Sequence, residues 1–350
     1  MTYIIAEAGV NHNGSLKIAK KLIKAAKNAG ANAIKFQYFD TKSLVKKNAT
    51  KAPYQKRNDN GNKTQYEMLK KYEFGVDRFK LLKNYSKRLN IDFILSPFDL
   101  ISLHKIKKFL SPKIIKIASG EITNYQLLSE IDINKERIIL STGMSNIGEI
   151  VNACNVIAKK KFLDFKNKKI LIKNKKIFNK IKKKLTILHC VTSYPADDEF
   201  LNLRAIKMME ENFKLDIGYS DHSQDIVIPV MAACMGAKII EKHITLDKNM
   251  KGPDHKASIE PKAFFKMVEN IKRANIVLGK PIKKIQKSEI QNLKPARKSI
   301  YAKKNILKNE KFTKENLIVQ RPFAGKCASK YFEIIGSKSG RNYKSGQIIE

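Results

Sequence analysis

Two histidines, each at the end of a short apolar run, are the side chains in this sequence best suited to bind a metal. In the stretch GYSDHSQDIVIPVMAACMGAKIIEKH, His222 follows Asp216–Tyr219 and His243 follows Lys238–Glu241. If both runs are strands and Gln224–Met235 is the helix between them, the chain forms a βαβ crossover whose parallel strands bring both imidazoles to one edge. Imidazole suits a borderline divalent metal, and two such ligands leave coordination positions open for a substrate. Two histidines at strand ends are, by themselves, more often satisfied polar residues, so both interpretations stay open at this point.

Two lysines and a set of serines favour the binding of an anion. Lys35 and Lys116 lie within the apolar runs IKFQ and IKIASGE. A lysine in such a position can clamp a phosphate, form a Schiff base or extend its amine out of an apolar surface. Serine hydroxyls in the same regions favour the first role: Ser96, Ser119, Ser141 and Ser220. We therefore expect a phosphate or carboxylate site, with the Schiff-base and structural interpretations as alternatives.

Carboxylates occur beside the same runs. Glu7 and Glu121 close two of them, and Asp221 and Asp254 flank the histidine stretch. Each is a candidate proton carrier, hydroxyl-binding group or ion-pair partner of a lysine. Two further histidines are candidates for the same metal: His189 and His255.

The elements that must position these residues are eight short β-branched runs, each followed by a stretch of helical periodicity. The predicted strands are Tyr3–Ala8, Ala33–Gln37, Asp92–Leu95, Ile114–Ile117, Arg137–Leu140, Leu185–Leu188, Asp216–Tyr219 and Lys238–Glu241. Eight βα units imply a closed parallel (β/α)8 barrel of the TIM type and not an open sheet. In such barrels the chemistry lies where the strands end, and polar clusters follow all eight runs.

The pattern changes along the chain and predicts two domains. We expect the barrel to occupy residues 1–280 and the polar segment 281–295 to be a linker. Short strands and turns then predict a small β-rich domain over 296–350.

Two segments interrupt the barrel pattern. Residues 38–75 form a long polar connection on the active face, which we predict to be a loop that serves as a lid. Residues 159–184 hold 13 lysines in 26 positions. We predict a solvated helical insertion on the face opposite the chemistry, with an arm that binds a partner or an anionic surface as the alternative.

The composition argues against several other classes of protein. The formal net charge is +38, yet only nine of the 70 basic residues are arginine, the residue that phosphate and base recognition prefers. We therefore expect a lysine-rich solvated surface and not a nucleic-acid-binding protein. No apolar run reaches the roughly 18 residues of a membrane span, and no leader precedes YIIAEAG, so we expect a cytoplasmic protein. The four cysteines form no CxxC pair, which argues against a disulfide framework or a zinc finger.

Eight motifs, in this order, resemble those of the sialic acid synthase family, the phosphoenolpyruvate-dependent nonulosonate synthases. They are IAEAGVNHNGSL, AIKFQ, KIASGEITN, LSTGM, LHCVTSYP, GYSDHS, EKHITLD and GPDHKAS. The resemblance spans residues 3–345, and the tail KSIYAKKNILKNEKFTKENLIVQRP resembles the antifreeze-like (SAF) domain that follows the barrel in that family.

The resemblance implies a condensation of phosphoenolpyruvate with an N-acetylated sugar aldehyde. The expected acceptor is N-acetylmannosamine, which gives N-acetylneuraminate and phosphate. The alternative acceptor is 2,4-diacetamido-2,4,6-trideoxymannose, which gives N,N'-diacetyllegionaminate. A divalent ion, manganese or magnesium, would polarise the aldehyde oxygen. A remote alternative is a barrel that has lost catalysis and binds polyanions through its lysines.

The resemblance also implies roles for individual residues. His222 and His243 match the metal ligands. The phosphoenolpyruvate contacts are matched by Lys35, Lys116, Ser119 and Ser141, with Ser96, Thr192 and Ser220 also in substrate-binding positions. The groups expected to hold the sugar or to carry protons are Glu7, Gln37, Glu121, Tyr194 and Asp254. Arg321 is expected to contact the sugar across a domain-swapped homodimer. The sequence departs from the family at Phe323, where RPFAG replaces the more common RPGNG.

Overall fold

A closed barrel of eight parallel strands forms the first part of the chain, counted over the residues that the structure describes. The structure is a computed structural model and describes residues 2–58, 61 and 63–350. The strands of this part are β1 (Tyr3–Gly9), β2 (Ala33–Tyr38), β3 (Asp92–Pro97), β4 (Ile114–Ile117), β5 (Arg137–Ser141), β6 (Leu163–Lys166), β7 (Lys169–Ile172), β8 (Leu185–Cys190), β9 (Asp216–Asp221) and β10 (Ile239–His243). The barrel order is β1-β10-β9-β8-β5-β4-β3-β2, and β6 pairs only with β7. The predicted (β/α)8 barrel is confirmed.

Helices follow the barrel strands. They are α1 (Leu16–Asn28), α2 (Thr41–Leu44), α3 (Pro53–Asn58), α4 (Gln65–Tyr72), α5 (Val76–Arg88), α6 (Leu100–Leu110), α7 (Tyr125–Ser129), α8 (Ile147–Ile157), α9 (Lys175–Ile181), α10 (Arg204–Phe213), α11 (Val227–Cys234) and α12 (Pro261–Leu278). Side chains that directly precede several of these helices cap them, as when Asp99 accepts a hydrogen bond from the Ser102 amide at the start of α6. Such caps end the βα loops before α1, α6, α7 and α8.

The interior of the barrel is apolar in one layer and polar in the next. Because side chains alternate between the two faces of a strand, every second residue points inward. One layer consists of packed aliphatic side chains: Ile5, Ala33, Ile94, Ile139, Leu188 and Ile239. Two positions further along the same strands stand Glu7, Lys35, Ser96, Ser141, Cys190 and Glu241. The alternation therefore places a polar layer directly above an apolar one.

The connection between β2 and α5 is not the plain loop that we predicted. Over its described residues it contains the helices α2, α3 and α4, while positions 59, 60 and 62 lie outside the described part of the chain. Met68 and Leu69 of α4 are buried and pack in one cluster with Val10 and Phe39. This packing stabilises the connection as a wall beside the barrel mouth.

The lysine-rich segment 159–184 is also different from the prediction, because it is not a helical insertion. It forms the antiparallel hairpin β6–β7 followed by the short helix α9. Asn155 holds the start of the hairpin, donating to the Leu163 carbonyl and accepting from the Phe162 and Leu163 amides. Strand β6 packs against α8, and the Phe165 ring lies close to Gly148 at the start of that helix, so the hairpin is not confined to the face opposite the chemistry. The buried side chains of the segment are Phe162 and Leu163, and Phe178 and Ile181 of α9.

Residues 280–350 form a second unit with its own apolar core. Its elements are α13 (Ile290–Ala296), β11 (Ser299–Ala302), β12 (Leu317–Gln320) and α14 (Tyr331–Ile334). Strands β11 and β12 pair antiparallel, and Ile300, Ala302, Ile306 and Leu317 pack together. The segment that we read as a linker thus ends in a short helix. Within the described residues, no helix is long and apolar enough to cross a bilayer.

Candidate active site

A cavity of about 380 Å³ opens where the barrel strands end. Most of the site residues predicted from the sequence line it: Glu7, Lys35, Gln37, Lys116, Ser119, Ser141, Thr192, Tyr194, Ser220, His222, His243 and Asp254. They come from strands that are far apart in sequence and adjacent in the barrel, as the strand-end argument requires. The cavity also contains residues that the sequence analysis did not select, namely Tyr54, Gln55, Met144, Cys190 and Glu241.

The floor of the cavity is a network of buried charges. The Lys35 Nζ lies 2.6 Å from Glu7 Oε2 and 3.7 Å from Glu241 Oε1. The Lys116 Nζ lies 3.3 Å from the same Glu241 oxygen, to which Ser220 Oγ also donates at 3.0 Å. Glu241 therefore links both lysines. Its position two residues before His243 on one strand was the signal that could have identified it, since the two side chains must share a face.

The two carboxylates of this floor differ in protonation. Burial raises the pKa of Glu7 to about 7, because desolvation outweighs the attraction of Lys35. Burial acts in the same direction on Glu241, but Lys116 and Lys35 outweigh it and lower the pKa of Glu241 to about 2. Near neutral pH, Glu241 is thus a fixed anion, whereas Glu7 can release or accept a proton.

A cradle of hydroxyl groups lies beside Lys116. Ser119 Oγ accepts a hydrogen bond from the Gly143 amide at 2.9 Å. The buried hydroxyls of Ser141 and Thr192 have no hydrogen-bond partner among the described residues. A Cβ at Gly143 would lie 2.0 Å from Thr192 Oγ1, so only glycine fits between these hydroxyls. Hydroxyl donors next to a lysine are suited to bind the oxygens of a phosphate.

The two predicted metal ligands lie next to each other at the ends of the neighbouring strands β9 and β10. The ring centroids of His222 and His243 are 5.6 Å apart, and the Tyr194 ring packs 4.1 Å from the His222 ring. His222 Nδ1 lies 2.6 Å from the Val191 carbonyl oxygen, so Nδ1 carries a hydrogen and Nε2 is the ring nitrogen left for a metal. Burial lowers the pKa of His222, but Cys190 and the Val191 carbonyl outweigh it and raise this pKa above its usual value, so a metal at Nε2 would displace a proton. The buried His243 Nδ1 has no hydrogen-bond partner in the described part of the chain. Burial and the neighbouring His222 hold the pKa of His243 well below its usual value, which favours the neutral form that binds metals.

The other two candidate histidines do not join this pair. His189 Nε2 contacts the Leu201 carbonyl at 2.8 Å, and His255 contacts Thr245 Oγ1 and Asn13 Oδ1. Over residues 2–58, 61 and 63–350, no group of three or more His, Cys, Asp or Glu side chains is arranged to hold a metal ion. The donor set that the structure offers is therefore two imidazoles.

A second polar group surrounds Gly9. This residue has φ +50°, and a Cβ built on it would lie 3.3 to 3.4 Å from Glu7 Oε1, Asp254 Oδ2 and Gln37 Nε2. The three side chains thus converge on one point of the cavity. Burial raises the pKa of Asp254 to about 6, and the Tyr54 hydroxyl forms a hydrogen bond with it. The cluster can hold sugar hydroxyls or transfer protons near neutral pH.

One part of the cavity wall is apolar. It is formed by Val10, Phe39, Leu44, Val45, Met68, Leu69 and Phe98, which pack in one cluster. Most of these residues belong to the connection between β2 and α5, which the sequence alone described as polar. The cavity therefore offers a bound molecule both charged side chains and a hydrocarbon surface.

Some predicted site residues do not line the cavity. Ser96 Oγ donates to the Lys116 carbonyl at 2.9 Å and so ties β3 to the neighbouring strand β4. Glu121 accepts a hydrogen bond from the Asn124 amide at 2.7 Å. Asp221 points to the outer side of the barrel and pairs with Lys242.

Arg321 and Phe323 lie in the second unit. Arg321 Nε donates to the Ala296 carbonyl at 2.9 Å, and the Phe323 amide donates to the Lys294 carbonyl at 2.8 Å. The sugar contact expected of Arg321 remains a prediction.

Comparison with known protein families gives this site a context. The model of the NeuB family matches residues 22–283, and that of the SAF domain matches residues 297–350. The chain belongs to the NeuB family.

Relatives within the NeuB family are similar over their whole length. The N,N'-diacetyllegionaminic acid synthase of Campylobacter jejuni is 43% identical over 99% of this chain and 98% of its own. The enzyme of the same name from Legionella pneumophila is 39% identical over 99% of this chain and 93% of its own. The prediction of an enzyme of the sialic acid synthase family is confirmed.

A solved NeuB-family structure has the same architecture. The N-acetylneuraminic acid (sialic acid) synthetase of Leptospira borgpetersenii, crystallised with citrate, is 35% identical with a TM-score of 0.68. The match covers 83% of this chain and 90% of that protein.

Proposed function

We propose that this chain condenses phosphoenolpyruvate with 2,4-diacetamido-2,4,6-trideoxymannose and water to give N,N'-diacetyllegionaminate and phosphate. The expectation from the sequence placed N-acetylmannosamine first and this sugar second. The relatives at 43% and 39% identity, both named N,N'-diacetyllegionaminic acid synthases, favour the reverse order. The sialic acid synthetase at 35% identity keeps N-acetylmannosamine as the second candidate.

The structural observation that carries the proposal is the division of the cavity into a charged floor, a hydroxyl cradle and an apolar wall. Phosphoenolpyruvate is a small dianionic or trianionic molecule and needs cations and hydroxyl donors. The trideoxy sugar ends in a methyl group where N-acetylmannosamine has a hydroxymethyl group. An apolar wall favours the methyl group, because burying a hydroxyl there without a partner is unfavourable.

We assign the phosphoenolpyruvate end to the floor and the cradle. Lys116 and Lys35 supply positive charge, and the hydroxyls of Ser141 and Thr192, which have no hydrogen-bond partner among the described residues, supply donors for phosphate oxygens. Ser119 and Ser220 complete the set. In the reaction, carbon 3 of the enol bonds to the aldehyde carbon, water adds its oxygen at carbon 2, and the bond from carbon 2 to the phosphate oxygen breaks.

We assign proton transfer to the side chains that surround Gly9. Glu7, with a pKa of about 7, can accept a proton from the attacking water and return it later. Asp254 and Gln37 reach the same point and are assigned to the sugar hydroxyls and aldehyde. Tyr194 covers the two imidazoles and closes this side of the cavity.

The two histidines fit a divalent metal site with open positions. His222 Nε2 and His243 Nδ1, which bonds to nothing within the described part of the chain, are the donors that would hold manganese or magnesium. When bound, such an ion supplies Lewis-acid polarisation of the aldehyde oxygen. A homodimer and the sugar contact of Arg321 remain expectations from the family resemblance.

Phosphate release tests the proposal. Protein supplied with phosphoenolpyruvate, the trideoxy sugar and Mn²⁺ should release phosphate, and mass spectrometry should detect the nonulosonate product. Chelation of the metal, His222→Ala or His243→Ala should abolish release. His104→Ala, which changes an exposed histidine on α6, should leave the rate unchanged. No phosphate release with any amino sugar would refute the proposed reaction.

A further inference from the structure

Lys242 lies between two cavity residues of β10 but points to the opposite side of the strand. Glu241 and His243 face the barrel interior, whereas the Lys242 side chain is fully buried between the barrel and its helices. Its Nζ lies 2.5 Å from Asp221 Oδ2 and donates to the carbonyl oxygens of Ser223 and Asp225 at 2.5 and 3.1 Å. A buried ammonium with three such partners holds the surrounding backbone in one arrangement.

The partners of Lys242 are the residues on either side of His222. Asp221 stands opposite Lys242 in the register of β9 and β10. Its Oδ1 accepts hydrogen bonds from the Ser223 amide at 3.0 Å and from the Tyr219 hydroxyl at 3.2 Å. Both chain neighbours of His222 are thereby fixed to β10, the strand that carries His243.

We propose that Lys242 is a positioning residue that sets the separation of His222 and His243 for metal binding. The inference rests on the proposed metal site. It assigns to a residue on the outer face of the barrel a role in the metal affinity of the site on the inner face. The ion pair joins β9 and β10 at the residues next in sequence to the two imidazoles, whose centroids are 5.6 Å apart. Loss of the pair lets the end of β9 shift against β10, so the two donors no longer converge.

A purely structural role would make Lys242 important for stability alone. Removal of one member leaves the other as an unpaired buried charge, whereas removal of both avoids that penalty. The double variant Lys242→Met/Asp221→Asn therefore separates the two roles. Ile240→Ala is the matched control, since Ile240 is buried on the same side of β10 and its side chain has no polar atom to pair with Lys242 or Asp221.

The test measures Mn²⁺ binding to the metal-free protein without substrates, through the electron paramagnetic resonance signal of free Mn²⁺, alongside the melting temperature. Lys242→Met should weaken Mn²⁺ binding by about 10-fold to 100-fold. The double variant should regain thermal stability and still bind Mn²⁺ weakly. Ile240→Ala should lose stability and keep its Mn²⁺ affinity.

The opposing results are equally definite. An affinity that returns together with stability in the double variant would overturn the positioning role. The positioning role would also be overturned if Ile240→Ala weakened Mn²⁺ binding in proportion to its fall in melting temperature. If Lys242→Met does not fold, Mn²⁺ affinity and melting temperature are compared in the same way between the double variant and Asp221→Asn. Wild-type protein that binds no Mn²⁺ would instead reject the metal site itself.

Discussion

Glu7 and Glu241 lie on neighbouring strands and contact the same lysine, yet their pKa values move in opposite directions. Glu7 has Lys35 as its close cation, whereas Glu241 is near both Lys35 and Lys116 and also accepts from Ser220. A second cation is sufficient to outweigh desolvation, which dominates at Glu7. The cavity thus combines a fixed negative charge with a group that exchanges protons near neutral pH.

Glu7→Gln should remove the rise of activity with pH that the ionisation of Glu7 causes. Burial raises the pKa of Glu7 to about 7, so its ionised, proton-accepting form increases as the pH rises through that value. In the wild type, kcat/KM for phosphoenolpyruvate should rise with pH through about 7 and then level off. The variant should lose that inflection and be slower by about 10²-fold to 10⁴-fold.

The control for this pH experiment is Glu136→Gln. Glu136 is also a buried carboxylate with a raised pKa, but it precedes β5 and does not line the cavity. Its replacement should leave the profile unchanged. An inflection near pH 7 that persisted in Glu7→Gln would show that another group carries the proton.

Ser141→Ala should weaken the binding of phosphoenolpyruvate and spare that of the sugar. The Ser141 hydroxyl is buried without a partner among the described residues, and a hydrogen bond to a charged group is worth about 1.5 to 3 kcal/mol. The KM for phosphoenolpyruvate should therefore rise about 10-fold or more. Steady-state kinetics with each substrate varied in turn makes the comparison.

Thr142→Val is the matched control for Ser141→Ala. It removes the next hydroxyl along the chain, which donates to the Leu188 carbonyl and does not line the cavity. This variant should keep the KM of the wild type. Equal effects of the two substitutions would contradict the placement of the phosphate at Ser141.

At the scale of elements, the barrel strands were predictable and their ends were not. Apolar runs identified the eight strands, but β8 continues past Leu188 to Cys190 and β9 continues past Tyr219 to Asp221. Strand pairing in a barrel depends on backbone hydrogen bonds, which continue through polar residues that face a cavity. The polar ends that we took as loops are therefore part of the strands. The same extension explains why Glu241 was read as a strand end and not as an inward-facing residue.

The sequence analysis missed the hairpin β6–β7 because its turn residues are unusual. Asn167 and Lys168 have φ +50° and +59°, the left-handed values that a tight two-residue hairpin turn requires. Lysine is unusual at such a position, so the sequence lacks the Asn-Gly signal of a hairpin. The many lysines also obscured the alternation that would have indicated two strands. Ser96 lies in the inward-facing polar layer but does not line the cavity, and its hydrogen bond to the Lys116 carbonyl could not be read from the sequence.

Phe162→Ala should destabilise the protein, whereas Phe165→Ala in the same hairpin should not. The Phe162 side chain is fully buried, while Phe165 is 40% exposed. Truncation of a buried phenylalanine costs about 3 to 5 kcal/mol in the free energy of unfolding. Denaturant unfolding of both variants gives the comparison, and activity at low temperature should be retained in each. Similar stability of the two variants would contradict the described packing of the hairpin on α8.

At the scale of the whole molecule, the net charge of +38 describes the protein surface, whereas the chemistry of the site is set by buried side chains. Lysines occur along the whole chain, whereas the proposed reaction would use a few buried groups inside the barrel. A barrel that had lost catalysis and bound polyanions would not need to keep unpartnered hydroxyls and paired imidazoles in one cavity. The surface charge instead favours the approach of an anionic substrate, since a positive field raises its local concentration.

Direct competition between the two acceptors tests the central claim. The protein is given Mn²⁺, limiting phosphoenolpyruvate and equal concentrations of 2,4-diacetamido-2,4,6-trideoxymannose and N-acetylmannosamine, and the two products are quantified by mass spectrometry. The apolar wall predicts that N,N'-diacetyllegionaminate predominates by about 10-fold or more. A predominance of N-acetylneuraminate, or the formation of neither product, would contradict the account.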